Sequence, residues 1–265
     1  MTDRTHDSAP ADVVPGWRRI GAIQWLLSVI FTAFLFGCSL VFGFVIVLFG
    51  WLPFRHLYQF ARAWAGWHLW LLRIFCGLDW RLEGGEHIPR EGAHITMWKH
   101  ASTWETLAQM IVFPPQAWVL KREILWIPLV GWACWCLECI AIDRGSGHRA
   151  VNQVLDQGRD RLSAGIWVLI FPEGTRTAAG EVRKYGMSGA LLASQTGALL
   201  VPVAHNAGDY WPRRGLVKKP GTIRAIVGPP IATAGRNPRE LNAEVQAWIE
   251  ATMRDLGSPG APDGG

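Results

Sequence analysis

From Ile20 to Pro53 nearly every position is apolar, and no charge interrupts the run after Arg19. One bilayer crossing takes about 20 apolar residues, so this stretch is long for one span and short for two complete ones. Gly37, Gly43 and Gly50 would let it tilt, pack or bend back as a re-entrant hairpin. It does not fit a cleaved signal peptide, because the run is too long and no Ala-x-Ala site closes it. Ahead of it, residues 1–19 form a polar tail, and Pro10 and Pro15 mark its first sixteen positions as disordered.

A different pattern occupies residues 54–79. Phe60, Trp64, Trp67, Leu71, Ile74 and Leu78 recur every three or four positions, with Arg62, His68 and Arg73 off that stripe. The spacing predicts an amphipathic helix. Such a helix either faces its own core or lies in a membrane interface, and its tryptophans and flanking basic residues suit the interface.

Short apolar runs then alternate with helical patterns from 80 to 253, which is the signature of an α/β domain. The runs predict strands at Trp80–Glu83, His94–Trp98, Ala117–Lys121, Ile140–Asp143, Trp167–Phe171, Leu199–Ala204 and Thr222–Val227. Helices are predicted at Ser102–Ile111, His148–Ser163 and Ser188–Thr196. A closing helix is entered through Asn237-Pro238 and runs to Met253. Residues 254–265, rich in Gly and Pro, form a flexible tail.

Composition sharpens the membrane reading. The 265 residues are 50% apolar and include 16 tryptophans, more than a soluble core uses and suited to the membrane–water boundary. The net charge of +5 favours an anionic surface or substrate. Nucleic acid is not an expected partner, since no stripe of Lys and Arg is interleaved with aromatics. Cys134, Cys136 and Cys139 are closely spaced, yet their surroundings are apolar and no fourth ligand sits at a zinc-like spacing. They are expected to be buried thiols in a reducing compartment, with no metal.

Two segments carry candidate chemistry. In His100-Ala-Ser-Thr-Trp-Glu105 an imidazole lies five residues from a carboxylate. On a continuous helix these side chains point about 140° apart. They meet only if His100 lies in the loop before the helix and Glu105 in its first turn. Glu105 then serves one of two ends: it orients His100, or it closes a capping box with Ser102. The two roles compete for one carboxylate.

The second segment is Phe171-Pro-Glu-Gly-Thr-Arg176, at the end of a buried strand. Pro172 stops the ladder and Gly174 permits close backbone approach. Arg176, with backbone of the Gly174–Thr175 turn, suits a phosphate. A carboxylate repels phosphate, so Glu173 is expected to orient Arg176 or Lys121, or to accept from a substrate hydroxyl. Lys121 and Arg122, at another strand end, could add charge to the same anion. No nucleophilic serine stands out: Gly186-Met-Ser188-Gly189 is followed by Ala190, not glycine. A histidine base without a protein nucleophile points to direct attack by a substrate hydroxyl.

Taken in order, His100…Glu105, Lys121–Arg144 with Gly131 and Ile142-Asp-Arg144, Phe171–Arg176 and Val201-Pro-Val-Ala204 resemble the bacterial 1-acyl-glycerol-3-phosphate acyltransferases over residues 80 to 250. That family carries His-x4-Asp, so Glu105 departs from it by one methylene. Its later Phe-Lys-x-Gly segment stands here as Arg183-Lys-Tyr-Gly186, and Lys184 is assigned no role.

The resemblance implies the glycerolipid acyltransferase fold, a mixed sheet flanked by helices with an N-terminal membrane-embedded helical segment. It implies acyl transfer from acyl-CoA or acyl-carrier protein to the sn-2 hydroxyl of lysophosphatidic acid, giving phosphatidic acid. His100 is then the base and Glu105 its partner, with Lys121, Glu173, Gly174, Thr175 and Arg176 at the substrate. No cofactor or metal is required. The expected partner is the phospholipid bilayer, and the expected location the cell inner membrane with the domain facing the cytoplasm. The same chemistry on another acceptor, such as a lyso-ornithine lipid, is the nearest alternative. A non-catalytic lipid-binding protein is a more distant one, because His100 is retained.

Overall fold

The apolar stretch forms one long helix, α1 (Ala22–Leu48), and not a re-entrant hairpin. Its length and hydropathy are those of a membrane span, and most of its surface is uncovered by the rest of the molecule. The computed structural model describes residues 21–257; the polar tail assigned to 1–19 and the last eight residues lie outside them.

After a short turn, α2 (Phe54–Cys76) packs back along α1. Its sequence stripe divides: Leu71 and Leu78 are buried and Trp64 is half-buried, whereas Phe60, Trp67 and Ile74 are exposed. The face toward the core is instead the neighbouring one, with Leu57, Ala61, Ala65, Leu69 and Leu72. His68, expected off the apolar face, is buried. Small alanines let α2 approach its neighbours, and this leaves the large rings outward.

Seven strands make one sheet in the order β1 (Leu78–Glu83), β7 (Gly221–Val227), β6 (Leu200–His205), β2 (Ile95–Trp98), β5 (Trp167–Ile170), β3 (Gln116–Lys121) and β4 (Ile140–Ile142). All neighbours are parallel except β6 and β7, so the sheet is mixed. The central strands β2 and β5 are buried along their whole length, in keeping with strands covered on both faces.

One face packs beneath α1, α2 and α3 (Trp104–Val112), with Trp98, Trp104 and Leu107 in that core. The other is covered by α5 (His148–Ser163), α6 (Ser188–Thr196) and α8 (Pro238–Leu256), around Ile95, Leu192 and Val245. Asn237 caps α8 as its sequence predicts, accepting from Arg239 N at 2.9 Å. The helix runs through residues 254–256, which the sequence assigns to the tail.

A helix without a sequence forecast, α4 (Val130–Cys136), lies against α1. At the crossing a Cβ on Gly43 would stand 3.0 Å from the Leu129 carbonyl carbon, so glycine permits the approach. The cysteine segment is therefore not a buried core element throughout. Cys139 is buried, but Cys134 and Cys136 are half-buried, and Trp132 and Trp135 are exposed. Together with Trp126 and the outer faces of α1 and α2, they form a broad apolar surface of the kind that marks an interaction site.

Candidate active site

The parallel strands β2, β5, β3, β4 and β6 deliver their carboxyl ends to one edge of the sheet, where ligands bind in open α/β folds. His100 follows β2, the Phe171–Arg176 segment follows β5, and Arg144 follows β4. A short helix, α7 (Ala207–Tyr210), follows β6.

His100 lies in the loop before α3, and Glu105 in the first turn of that helix. Their side chains meet, with Nδ1 of His100 2.9 Å from Oε1 of Glu105. The same oxygen accepts from Ala101 N at 3.1 Å and from Ser102 N at 2.9 Å. Ser102 Oγ in turn accepts from Trp104 N at 3.2 Å. The roles expected to compete are thus combined. Three donors converge on Oε1, so the cap holds the carboxylate where the imidazole needs it.

Burial pushes the Glu105 carboxyl upward, but the His100 hydrogen bond, the His205 and His100 imidazoles and the Ser102 N–H outweigh it, leaving it below its ordinary range. An ionised carboxylate on Nδ1 places a proton there and leaves Nε2 as the basic nitrogen. The His100 ring stacks on Phe171, centroids 4.0 Å apart and planes inclined by 19°.

Two cavities meet at His100. One, of about 540 Å³, is apolar and runs between α1, α3, α4 and β3, with Phe42, Met110, Trp118, Ala133 and Leu137 among its walls. The other, of about 290 Å³, is lined by His100, Thr175 and four arginines, Arg144, Arg176, Arg213 and Arg214. No carboxylate lines it. Arg144 and Arg176 belong to both cavities.

The Phe171–Arg176 turn is closed by Gly174 N donating to Phe171 O at 3.0 Å. Gly174 has φ 70°, a conformation that side chains other than glycine rarely adopt. An Arg144 guanidinium nitrogen donates to Gly174 O. Arg213 Nη1 donates to Arg176 O at 2.6 Å. Arg176 Nε is buried without a hydrogen-bond partner, a donor waiting for an acceptor.

Two expected substrate contacts are placed elsewhere. The Lys121 side chain turns to Glu123, 3.1 Å away, and lines neither cavity. Arg122 pairs with Asp143 at 3.5 Å. Glu173 orients neither Arg176 nor Lys121. It is buried against Lys99 Nζ at 3.3 Å and accepts from His100 N at 3.4 Å. Lys99 also reaches Glu250 of α8 at 2.8 Å, so the residue before His100 is tied into a buried charge cluster. Burial is the chief cause that raises the Glu173 carboxyl, with Lys99 opposing it. Among the described residues no three His, Cys, Asp or Glu side chains converge as metal ligands.

A model of the acyltransferase family matches residues 79–206. A Pseudomonas aeruginosa 1-acyl-sn-glycerol-3-phosphate acyltransferase is 39% identical over 245 residues, spanning 89% of this chain and 94% of the relative. The chain belongs to this acyltransferase family. The mouse relative, 1-acyl-sn-glycerol-3-phosphate acyltransferase alpha, is 28% identical over 71% of this chain and 68% of its own length. The acyltransferase fold is shared with the crystal structure of the 1-acyl-sn-glycerophosphate acyltransferase PlsC from Thermotoga maritima. That match has a TM-score of 0.75 and 22% identity, covering 90% of this chain and 98% of the other.

In this acyltransferase the residues missed by sequence reasoning are Lys99, Arg144, His205, Arg213, Arg214 and Glu250. Arg144 closed a recognised block but carried no assigned role. Arg213-Arg214 is an adjacent pair after Trp-Pro, and its sequence does not reveal that the loop folds back onto Arg176.

Proposed function

We propose that this protein transfers an acyl chain from acyl-CoA or acyl-carrier protein to the sn-2 hydroxyl of 1-acyl-glycerol 3-phosphate, giving phosphatidic acid. The observation that carries this reading is the position of the His100–Glu105 pair, at the junction of an apolar cavity and an arginine-lined one. The first suits an acyl chain and the second a phosphate, with the basic nitrogen between them.

The sn-2 oxygen attacks the thioester carbonyl as His100 Nε2 takes its proton. The carbon–sulfur bond of the tetrahedral intermediate then breaks, and the imidazolium returns the proton to the departing thiolate. Glu105 holds the imidazole in the right tautomer and balances its transient charge without itself being protonated, as in a triad that lacks its serine. Arg176 and Arg144, with the Thr175 turn, hold the acceptor phosphate. The scheme requires no metal or cofactor.

The exposed apolar faces of α1, α2 and α4 suit immersion in a phospholipid bilayer, from which a lipid acceptor would enter. Because both kinds of donor are cytosolic, we assign the protein to the cell inner membrane with its catalytic edge toward the cytoplasm. The test uses detergent-solubilised protein, labelled acyl-CoA or acyl-carrier protein, and a panel of lyso-acceptors. Wild type should acylate lysophosphatidic acid, and H100A should lose at least about 10³-fold in turnover. Acylation of only a different acceptor, or full activity in H100A, would overturn the reading.

A further inference from the structure

We propose that Arg213 and Arg214 complete the acceptor-phosphate subsite and give this enzyme its preference for a phosphate monoester over a zwitterionic headgroup. This deepens the reading of the arginine-lined cavity as the acceptor site, and rests on it.

The pair lies beyond the residues that the family model matches, on the loop between α7 and β7. Both line the cavity that holds His100, Thr175, Arg144 and Arg176. Arg213 is partly balanced by Glu181 at 3.9 Å, and its Nη1 ties it to the Arg176 backbone. Arg214 makes no hydrogen bond or ion pair to another described residue, and it is exposed.

Its backbone is also unusual. Gly215 N donates to Pro212 O at 2.9 Å, closing a tight turn with the two arginines at its centre. Arg214 has φ 60°, at the turn position that favours glycine or asparagine. A long cationic side chain at such a position points to a use for the side chain.

The turn is held in place from both ends. Trp211 is buried edge-on to Phe31 of α1, centroids 5.8 Å apart. Lys218 N donates to Ser28 Oγ at 3.0 Å, and its carbonyl accepts from Gln24 Nε2 at 2.6 Å. Lys218 Nζ also reaches Ser28 O and Thr32 Oγ1 on the same helix. The arginine turn is therefore pinned between two attachments to the apolar helix.

Four lining guanidinium groups, with Glu181 paired to Arg213 from outside the lining, favour the ligand with the most negative charge and the most free oxygens. A phosphate monoester supplies up to two charges and three such oxygens. A phosphodiester bearing an ammonium offers fewer, and it brings a cation against arginines, which is discrimination by repulsion as well as attraction.

The test uses the full chain in mixed micelles, as wild type, R213Q, R214Q and R214G. Each is assayed with 1-oleoyl-glycerol 3-phosphate and with 1-oleoyl-glycerophosphoethanolamine. The binding of both lipids is also measured without a donor. For the phosphate monoester, R214Q should raise KM by about tenfold, a typical size for a lost charged hydrogen bond, with a smaller effect on kcat. R213Q should raise KM and also lower kcat, since it frees the Arg176 turn.

R214G suits the backbone angle and should melt no lower than wild type, yet lose the same acceptor preference. A purely structural role predicts that R214G keeps it. Unchanged ratios between the two acceptors in R213Q and R214Q, in turnover and in binding, would overturn the proposal. Failure of wild type to acylate the phosphate monoester would instead overturn the activity itself, while the donor-free binding ratio would still decide the role of the pair.

Discussion

His205 Nε2 lies 3.8 Å from Glu105 Oε2, the carboxylate oxygen that has no hydrogen-bond partner, while His100 occupies the other. The Glu105 carboxylate is thus held between two imidazoles, one at the cavities and one fully buried. His205 Nε2 is 2.8 Å from Lys99 O, and Nδ1 accepts from Ala207 N at 3.3 Å, which fixes the proton on Nε2. Burial is the chief cause that lowers the His205 pKa, with the Glu105 carboxylate opposing it. H205F should lower kcat by about tenfold and destabilise by roughly 1–3 kcal/mol, because the Lys99 carbonyl loses its donor. H205Q, which keeps an N–H, should recover part of both. Steady-state kinetics with thermal melting checks this, and full turnover in H205F would remove His205 from the site.

The shared oxygen of Glu105 makes a separable prediction. In E105Q the amide oxygen can still accept from Ala101 and Ser102, but it cannot balance an imidazolium. Turnover should fall by a factor on the order of 10³–10⁴, with the fold retained. A variant that melts far below wild type but turns over normally when cold would make Glu105 a cap only.

The same carboxylate has a pH signature. Its folded pKa lies below the ordinary 4.5, so the folded state binds fewer protons than the unfolded one as pH falls through that region. Its contribution to stability is complete above 4.5 and is lost as pH drops through the lower folded value. The melting-temperature gap between wild type and E105Q, followed from neutral pH downward, should hold steady and then shrink below that point. A gap independent of pH would mean that Glu105 is not ionised in the fold.

The seven strands were legible because short apolar runs alternate with helical patterns, although the antiparallel pairing of β6 with β7 was not. Residues 148–163 and 188–196 likewise showed their helices through spacing. The dyad was legible for a local reason: loop, cap and first helical turn lie within six residues. What sequence order could not reveal is contact across the sheet. Lys99 meets Glu250 from opposite ends of the domain, and His205 reaches Glu105 only because β6 lies beside β2. Lys121 misled for the converse reason. It stands at the right strand end, but Glu123 two residues on draws its side chain away.

The Lys99 cluster invites its own test. Lys99 serves Glu173 and Glu250, and Tyr185 Oη donates to Glu250 at 2.9 Å, all behind the His100 backbone. K99M leaves two buried carboxylates without their cation, and should cost roughly 3–5 kcal/mol. Adding E250Q relieves one of them and should restore part of the stability. Glu173 would still lack its partner, so the His100 loop should stay loose and kcat low. Recovery of both together in the double variant would show that Lys99 serves folding alone.

In the proposed scheme the apolar cavity holds the acyl chain and limits its length, and α4 forms part of the cavity wall through Val130 and Ala133. Enlarging either side chain should remove room at that wall while the His100–Glu105 pair stays intact. Each methylene excluded from an apolar site is worth about 0.8 kcal/mol, or about fourfold in kcat/KM. A133L and V130F should therefore lose activity progressively with longer acyl donors and change far less with short ones, moving the optimum to shorter chains. A series of acyl-CoA donors of increasing length, assayed at fixed acceptor, reads this out. A uniform loss at every length would mean that the chain lies elsewhere, and that α4 supports the fold without measuring the substrate.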